Sequence, residues 1–227
     1  NKNLMLKNCK TLETFFVSKV SLLLLHSIMK DKILEKSTEL FLNYGFKSVT
    51  MDDIANNLGI SKKTIYQHFS NKTQLVKETT LGLFAFISHG IDCICSLEKN
   101  PIEEIYEIKR FVMTHLKNEK SSPIFQLQKY YPKIYATLKT KQFEVMLGCV
   151  IQNLERGINQ NLYRKTIDIE IISRLYMNTI IVLKDHDLFP SPQFNIPNLM
   201  ENYTEYHLRG ICTENGIKHL EKIIKKQ

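Results

Sequence analysis

The stretch GISKKTIYQHFSNK, residues 59–72, concentrates side chains that bind phosphate groups and nucleic-acid bases. It contains three lysines and a histidine beside tyrosine, glutamine and hydroxyl side chains, and it contains no acidic residue. Lysine and hydroxyl groups donate hydrogen bonds to phosphate oxygens, whereas glutamine and threonine also reach base edges. The stretch therefore predicts a surface for a polyanion. An ordinary solvated helix face is the alternative, because charged side chains are mostly exposed.

The residues before this stretch predict two helices. Apolar side chains recur at helical spacing from Ile33 to Tyr44, and Gly45 suits the left-handed position that often ends a helix. Thr50 is a typical N-cap residue, and two aspartates follow it where the helix dipole favours them. We therefore expect a short second helix from Met51 to about Leu58.

The next residues complete a helix-turn-helix. Gly59 allows a tight turn, Ser61 can cap a third helix, and the small Ala55 lets the two helices cross closely. Ile65 and Phe69 then face inward. The side chains that remain available to DNA are Lys62, Lys63, Thr64, Tyr66, Gln67 and His68.

A fourth helix is expected to begin at Asn71 and Lys72. The free N–H groups and the dipole of a helix N-terminus favour a phosphate, and Lys72 adds a positive charge at the same place. Helix-turn-helix patterns also occur in modules that bind other proteins, so the spacing alone leaves both kinds of partner open.

Residues 33–76, ILEKSTELFLNYGFKSVTMDDIANNLGISKKTIYQHFSNKTQLV, resemble the DNA-binding domain of the TetR/AcrR family of bacterial transcriptional regulators. The resemblance rests on the run G-[IV]-S-x-x-T-[IL]-Y-x-H-F-x-x-K. It implies a recognition helix from Ser61 to His68 and a backbone contact near Thr50. It implies phosphate contacts from Tyr66, His68 and Lys72, and base contacts from Lys62, Lys63, Thr64 and Gln67.

Two positions depart from the family pattern. Lys63 stands where relatives often have glycine or proline, and Met51 and Asp52 stand where some members place a hydroxyl and an arginine on DNA. The operator sequence of a relative therefore does not transfer to this chain.

Composition predicts an all-α protein, because the 227 residues are 43% hydrophobic and include only 8 glycines and 6 prolines. The net charge of +8 favours polyanionic partners. We expect three segments: residues 1–28 as a non-native or disordered upstream extension, 29–76 as the helix-turn-helix domain, and 77–227 as a helical bundle. The apolar runs of residues 1–28 are shorter than the roughly 20 residues that span a bilayer.

The resemblance implies that the bundle, residues 77–227, binds a small-molecule effector and forms a homodimer. Aromatic and histidine side chains at helical spacing are candidates for the effector pocket, although such stripes are also usual in cores. These candidates are Phe84, Phe111, His115, Phe125, Phe143 and Tyr176. Residues 168–183 are apolar almost all round, which predicts a helix buried on two sides. Its candidates for the dimer interface are Ile172, Leu175, Tyr176 and Ile180.

No enzyme motif occurs, and the five cysteines lack the spacing of a zinc site, so neither a metal nor a cofactor is expected. We interpret the chain as a cytoplasmic, homodimeric regulator that binds an inverted-repeat operator in double-stranded DNA. Regulators of this family are most often repressors that a small molecule releases. The alternative is a helical interaction or nucleoid-associated protein that binds DNA without sequence preference.

Overall fold

A computed structural model describes residues 26–116, 123–185, 188–190 and 193–225, and every regular element within these ranges is a helix. This confirms the all-α prediction. None of the described helices is long and apolar enough to cross a membrane. The first helix, α1, occupies residues 26–44. The others are α2 Met51–Leu58, α3 Lys62–His68, α4 Lys72–Cys95, α5 Pro101–Leu116, α6 Pro123–Tyr130, α7 Pro132–Asn159, α8 Ile169–Val182, α9 Ile196–Ile211 and α10 Glu214–Ile224.

Helix α1 begins earlier than the sequence pattern predicted. Residues 26–28 are helical, so α1 includes at least three residues of the segment 1–28 that was expected to be an extension. No glycine or proline separates these residues from the amphipathic segment, and the helix continues through them. The remainder of the expected extension, residues 1–25, lies outside the described part of the chain.

Helices α1 to α3 and the start of α4 enclose one apolar core. Phe41, Ile54, Ile65 and Phe69 are each at most 1% exposed. Gly45 has a φ of +83° and donates its N–H to the carbonyl oxygen of Phe41 at 2.9 Å. This left-handed residue ends α1 as predicted and reverses the chain toward α2.

The helix-turn-helix segment shares its core with the bundle. Leu127 of α6 and Ile134 of α7 are buried in the same cluster as the residues of α1 to α3. The backbone N–H of Lys47, between α1 and α2, donates to Oε1 of Gln126 at 3.2 Å. Helix α4 also continues without a break through residue 76, the predicted domain boundary. A displacement within the bundle can therefore reach the helix-turn-helix through direct packing.

A second core joins α5, α7, α9 and α10 around a buried carboxylate. Glu104 is fully buried, and its oxygens accept hydrogen bonds from Arg156 at 2.5 Å and from Asn153 at 2.8 Å. The hydroxyl of Tyr163 donates to Asn153 at 3.1 Å. These bonds fix α5 against α7, because a buried carboxylate requires both a counter-charge and hydrogen-bond donors.

Candidate nucleic-acid interface

A reciprocal capping box fixes the start of α2. The hydroxyl of Thr50 accepts a hydrogen bond from the backbone N–H of Asp53 at 3.1 Å. The Asp53 carboxylate in turn accepts one from the Thr50 N–H at 2.8 Å. The Thr50 hydroxyl also donates to the Asp53 carboxylate at 2.7 Å, and this bond together with the one from the Thr50 N–H holds the pKa of Asp53 below its ordinary value. Thr50 therefore has a structural role, and its predicted contact with DNA remains a prediction.

The turn between α2 and α3 depends on one left-handed residue. Gly59 has a φ of +64°, and no atom lies within 4 Å of the position that a Cβ would occupy. Its backbone conformation, rather than crowding, therefore favours glycine here. The N–H of Ile60 donates to the carbonyl oxygen of Ala55 at 3.1 Å, and this bond sets the direction in which α3 departs.

Helix α3 has one buried face and one exposed face, as the sequence predicted. Ile65 and Phe69 are both 0% exposed. Ser61 is the N-cap, since its Oγ accepts from the N–H of Thr64 at 3.1 Å. The same oxygen lies 2.8 Å from the Thr64 hydroxyl, so these two predicted DNA contacts are already bonded to each other.

The exposed face of α3 presents Lys63, Tyr66 and Gln67. Lys62 is also exposed, but its Nζ forms an ion pair with Asp52 of α2 at 2.7 Å. This bond raises the pKa of Lys62. Sequence reasoning missed the pair, because positions ten apart have no fixed spacing until the angle between α2 and α3 is known.

The side chain of His68 does not lie on the exposed face, so the outward orientation expected from the sequence is wrong. Its ring stacks on that of His26 in α1, with 4.0 Å between the ring centroids. Burial, reinforced by the nearby positive groups of His26 and Lys30, lowers the pKa of His68. Its Nδ1 is buried and has no hydrogen-bond partner among the described residues. A phosphate contact from His68 stays a prediction.

Local hydrogen bonds fix the start of α4. Asn71 caps the helix, since its Oδ1 accepts from the N–H of Gln74 at 2.9 Å. Gln74 Oε1 also accepts from the backbone N–H of Ser70 at 2.7 Å. Burial lowers the pKa of Lys72, and the charge of Asp53 opposes that shift. Lys72 thus places a positive charge at the helix N-terminus that was predicted to bind a phosphate.

Two of the six candidates for the effector pocket line cavities of the bundle. Phe84 borders a cavity of about 160 Å³, and Tyr176 borders a neighbouring cavity of about 100 Å³. Phe111 and His115 instead form an aromatic cluster with Phe86, which is 53% exposed. Neither Phe111 nor His115 lines the two cavities. Their place in an effector pocket stays a prediction.

The other two pocket candidates also lie outside these cavities. Phe125 is 39% exposed, and the Nζ of Lys129 lies 5.6 Å from its ring centroid. Phe143 lies under the guanidinium group of Arg174 at 5.5 Å. Periodicity identified these side chains as members of apolar stripes, but it could not distinguish a cavity from a helix surface.

The four candidates for the dimer interface point in different directions. Ile172 packs on the second core of its own protomer, and Tyr176 and Ile180 line the smaller cavity. Only Leu175 belongs to the exposed large hydrophobic residues, at 58%. The exposed stripe of α8 consists instead of Ile171, Leu175 and Val182.

Helix α9 lies beside α8 and also carries an exposed apolar side chain. Tyr176 and Tyr203 stack with 5.8 Å between their ring centroids, which fixes the contact between the two helices. Tyr206 of α9 is 77% exposed. Among the residues that the structure describes, no group of three metal-ligating side chains is close enough to hold an ion.

Comparison with known proteins agrees with this architecture. Residues 33–79 match the family described as bacterial regulatory proteins, tetR family. The biofilm operon icaADBC HTH-type negative transcriptional regulator IcaR of Staphylococcus aureus is 24% identical over 136 residues, covering 59% of this chain and 67% of that protein. The HTH-type transcriptional repressor KstR2 of Mycolicibacterium smegmatis is 20% identical over 199 residues, covering 84% and 94%.

The fold is also that of solved regulators. A TetR-family transcriptional regulator from Agrobacterium tumefaciens superimposes with a TM-score of 0.68 at 18% sequence identity. The match covers 83% of this chain and 100% of that one. At this identity the likeness concerns the arrangement of helices, and it includes both the helix-turn-helix and the bundle.

Proposed function

We propose that the chain is a TetR-family DNA-binding transcriptional regulator, and that it is a cytoplasmic homodimeric repressor which leaves its operator when a small molecule binds. The relatives IcaR and KstR2 are named as a negative regulator and a repressor, which supports this sign of regulation. Family and relatives are regulators rather than enzymes.

The observation that carries the proposal is the exposed face of α3. Lys63, Tyr66 and Gln67 project from a helix whose other face is anchored by two fully buried side chains. A rigid helix that presents cationic and hydrogen-bonding groups suits the major groove, where such groups distinguish base pairs. Lys72 stands at the next helix N-terminus, where a phosphate would bind.

Dimerisation follows from the requirements of specificity. One helix of 7 residues reads only a few base pairs, so a second copy on an inverted repeat is needed. The exposed side chains of Ile171, Leu175 and Tyr206 give α8 and α9 an apolar face for this contact. A two-fold axis would bring the same face of each protomer together in a four-helix interface.

The alternative function is a helical interaction or nucleoid-associated protein that binds DNA without sequence preference. Competition binding separates the two: sequences selected from a random pool are labelled and challenged with bulk DNA. A regulator prefers its selected site by about 10³-fold or more. Equal affinity for the selected and bulk sequences would favour the alternative.

A further inference from the structure

The larger cavity connects the bundle to the helix-turn-helix domain. Thr38 and Phe41 of α1 line it together with side chains from α4, α7 and α8. Phe41 is also part of the core that supports α3. An occupant of this cavity therefore contacts the same side chains that hold the DNA-binding helices in place.

Within the described chain, the charged residues that line this cavity are all positively charged. Lys139 of α7 and Lys184, just after α8, are its charged lining residues, and no aspartate or glutamate of the described chain lines it. Lys139 is exposed and Lys184 is half-buried, so both side chains remain accessible to solvent. Apart from these residues the lining is mainly aliphatic and aromatic. Such a site favours an anionic head group attached to an apolar body.

Two buried hydroxyl groups in the cavity wall lack partners. Thr80 and Ser88 of α4 both line the cavity, and neither oxygen has a hydrogen-bond partner among the described residues. The adjacent Thr79 shows the usual arrangement, because its hydroxyl donates to the carbonyl of Leu75 in its own helix at 2.9 Å. Buried hydroxyls normally find a partner. An occupant with two oxygen-bearing groups would supply a hydrogen-bond partner to each hydroxyl.

Helices α4 and α7 are arranged so that the Thr80 hydroxyl lies at the same height along the bundle as Lys139. Leu138 packs in the same core as Val76, and farther along both helices the Cys149 thiol lies 3.7 Å from Asp92 Oδ1. The two helices therefore run in the same direction. Thr80 and Lys139 consequently lie at the end nearer to the DNA-binding helices. Ser88 lies about 12 Å farther along α4, at 1.5 Å per residue.

The smaller cavity extends the space beyond Ser88. The two cavities share several lining residues, among them Met146 and Met200, so they adjoin each other. The ~12 Å between Thr80 and Ser88 along α4 suits an extended chain of about eight carbons.

We propose that the cavity binds an amphiphilic monocarboxylate whose hydrocarbon chain carries a second oxygen near its far end. The carboxylate lies at Lys139 and Lys184 and accepts from the Thr80 hydroxyl, and the second oxygen meets Ser88. This assignment rests on the proposed regulatory function, since it names the effector of that regulator. Binding separates α1 from α4 at Phe41 and thereby disturbs the position of α3.

Three probes of equal chain length test the assignment: 8-hydroxyoctanoate, octanoate and octylamine. Isothermal titration calorimetry on the full chain is expected to give tightest binding for 8-hydroxyoctanoate, weaker binding for octanoate and none for octylamine. The first two should also release the protein from its selected DNA site. Octylamine binding as tightly as the acids overturns the charge assignment, and equal binding of the two acids overturns the second oxygen.

Variants then locate the groups. Lys139→Met combined with Lys184→Met should weaken the binding of both acids by roughly tenfold or more, since a charge-assisted hydrogen bond is lost. Lys141→Met removes an exposed lysine that does not line the cavity and is the matched control. Ser88→Ala should reduce the affinity for 8-hydroxyoctanoate to that for octanoate. The affinity for octanoate should stay unchanged.

DNA binding without any probe separates this inference from the proposed function. A protein that selects a specific DNA site but binds none of the probes refutes the ligand class and leaves the regulator intact. A protein without sequence preference refutes the proposed function, whatever it binds in the cavity. Circular dichroism of each variant verifies that the helices are retained.

Discussion

The Nζ atom of Lys62 lies 2.7 Å from Oδ2 of Asp52, which joins the first residue of α3 to the first turn of α2. Both side chains are exposed, so the pair contributes little to stability. Its effect on DNA binding is larger, because a carboxylate beside a phosphate-binding surface opposes association. Asp52→Asn should therefore strengthen binding to every DNA sequence and steepen its salt dependence. Titrations from low to high salt measure the change.

Because of the same ion pair, we expect Lys62 and Lys63 to contribute unequally to DNA affinity. Lys63→Met should reduce DNA affinity more than Lys62→Met, because Lys62 is already partly neutralised by Asp52. In an Asp52→Asn background the two losses should become similar. Losses that are equal in the wild-type background would show that the ion pair opens on DNA.

Lys72 is expected to contact a phosphate without reading a base. Lys72→Ala should weaken binding to specific and to random DNA to a similar degree. It should also reduce the slope of log affinity against log salt concentration by about one. Lys77→Ala, an exposed lysine farther along α4, is the matched control and should leave the slope unchanged. An unaltered slope for Lys72→Ala would remove this residue from the contact set.

Gln67 is the exposed side chain of α3 best suited to a base edge. Gln67→Ala should cost about 1–3 kcal/mol on the selected site and much less on random DNA. Thr64→Ala should discriminate less between the two DNAs, because the Thr64 hydroxyl is bonded to Ser61. Binding assays with paired specific and random duplexes provide the comparison. If Gln67→Ala weakens both duplexes equally, the residue contacts the backbone instead.

The outward stripe of α8 is expected to form the dimer interface. Leu175→Glu should give folded monomers that keep only weak, non-specific DNA affinity, because a charge would be buried in an apolar contact. Ile172→Glu, three residues earlier, should instead destabilise the protomer, since Ile172 packs on its own core. Sedimentation equilibrium and thermal unfolding separate the two outcomes. A Leu175→Glu protein that remains dimeric would place the interface elsewhere.

His207 is expected to make stability depend on pH. Burial lowers the pKa of His207 to about 4, and the ordinary value is 6.5. Between these values the unfolded chain binds a proton that the folded chain does not, so stability falls as pH falls. The slope should be about 1.4 kcal/mol per pH unit and should end below about pH 4. His207→Gln should lose this contribution, and denaturant unfolding from pH 7 to pH 4 measures it. Identical slopes for both proteins would contradict the burial of a neutral imidazole.

The sequence by itself determined the DNA-binding segment. Gly45 and Gly59 mark the ends of α1 and α2, Thr50 and Ser61 cap the helices that follow, and the apolar spacing predicts which side of α3 is buried. These features are local: a cap or a left-handed residue acts within one turn, so a few neighbouring letters identify it. The sequence motif therefore predicted the elements and the exposed face of α3, apart from its last residue.

Only the tertiary structure decided which side chains meet across helices. The pairs Lys62 with Asp52 and His68 with His26 join separate helices, and no sequence spacing predicts them. In the bundle, periodicity identified Phe111 and Tyr176 as apolar positions, but one lies in a half-exposed cluster and the other lines a cavity. An apolar stripe shows that a helix face is covered. What covers it depends on the crossing angles and lengths of its neighbours, which are fixed only when the whole chain packs.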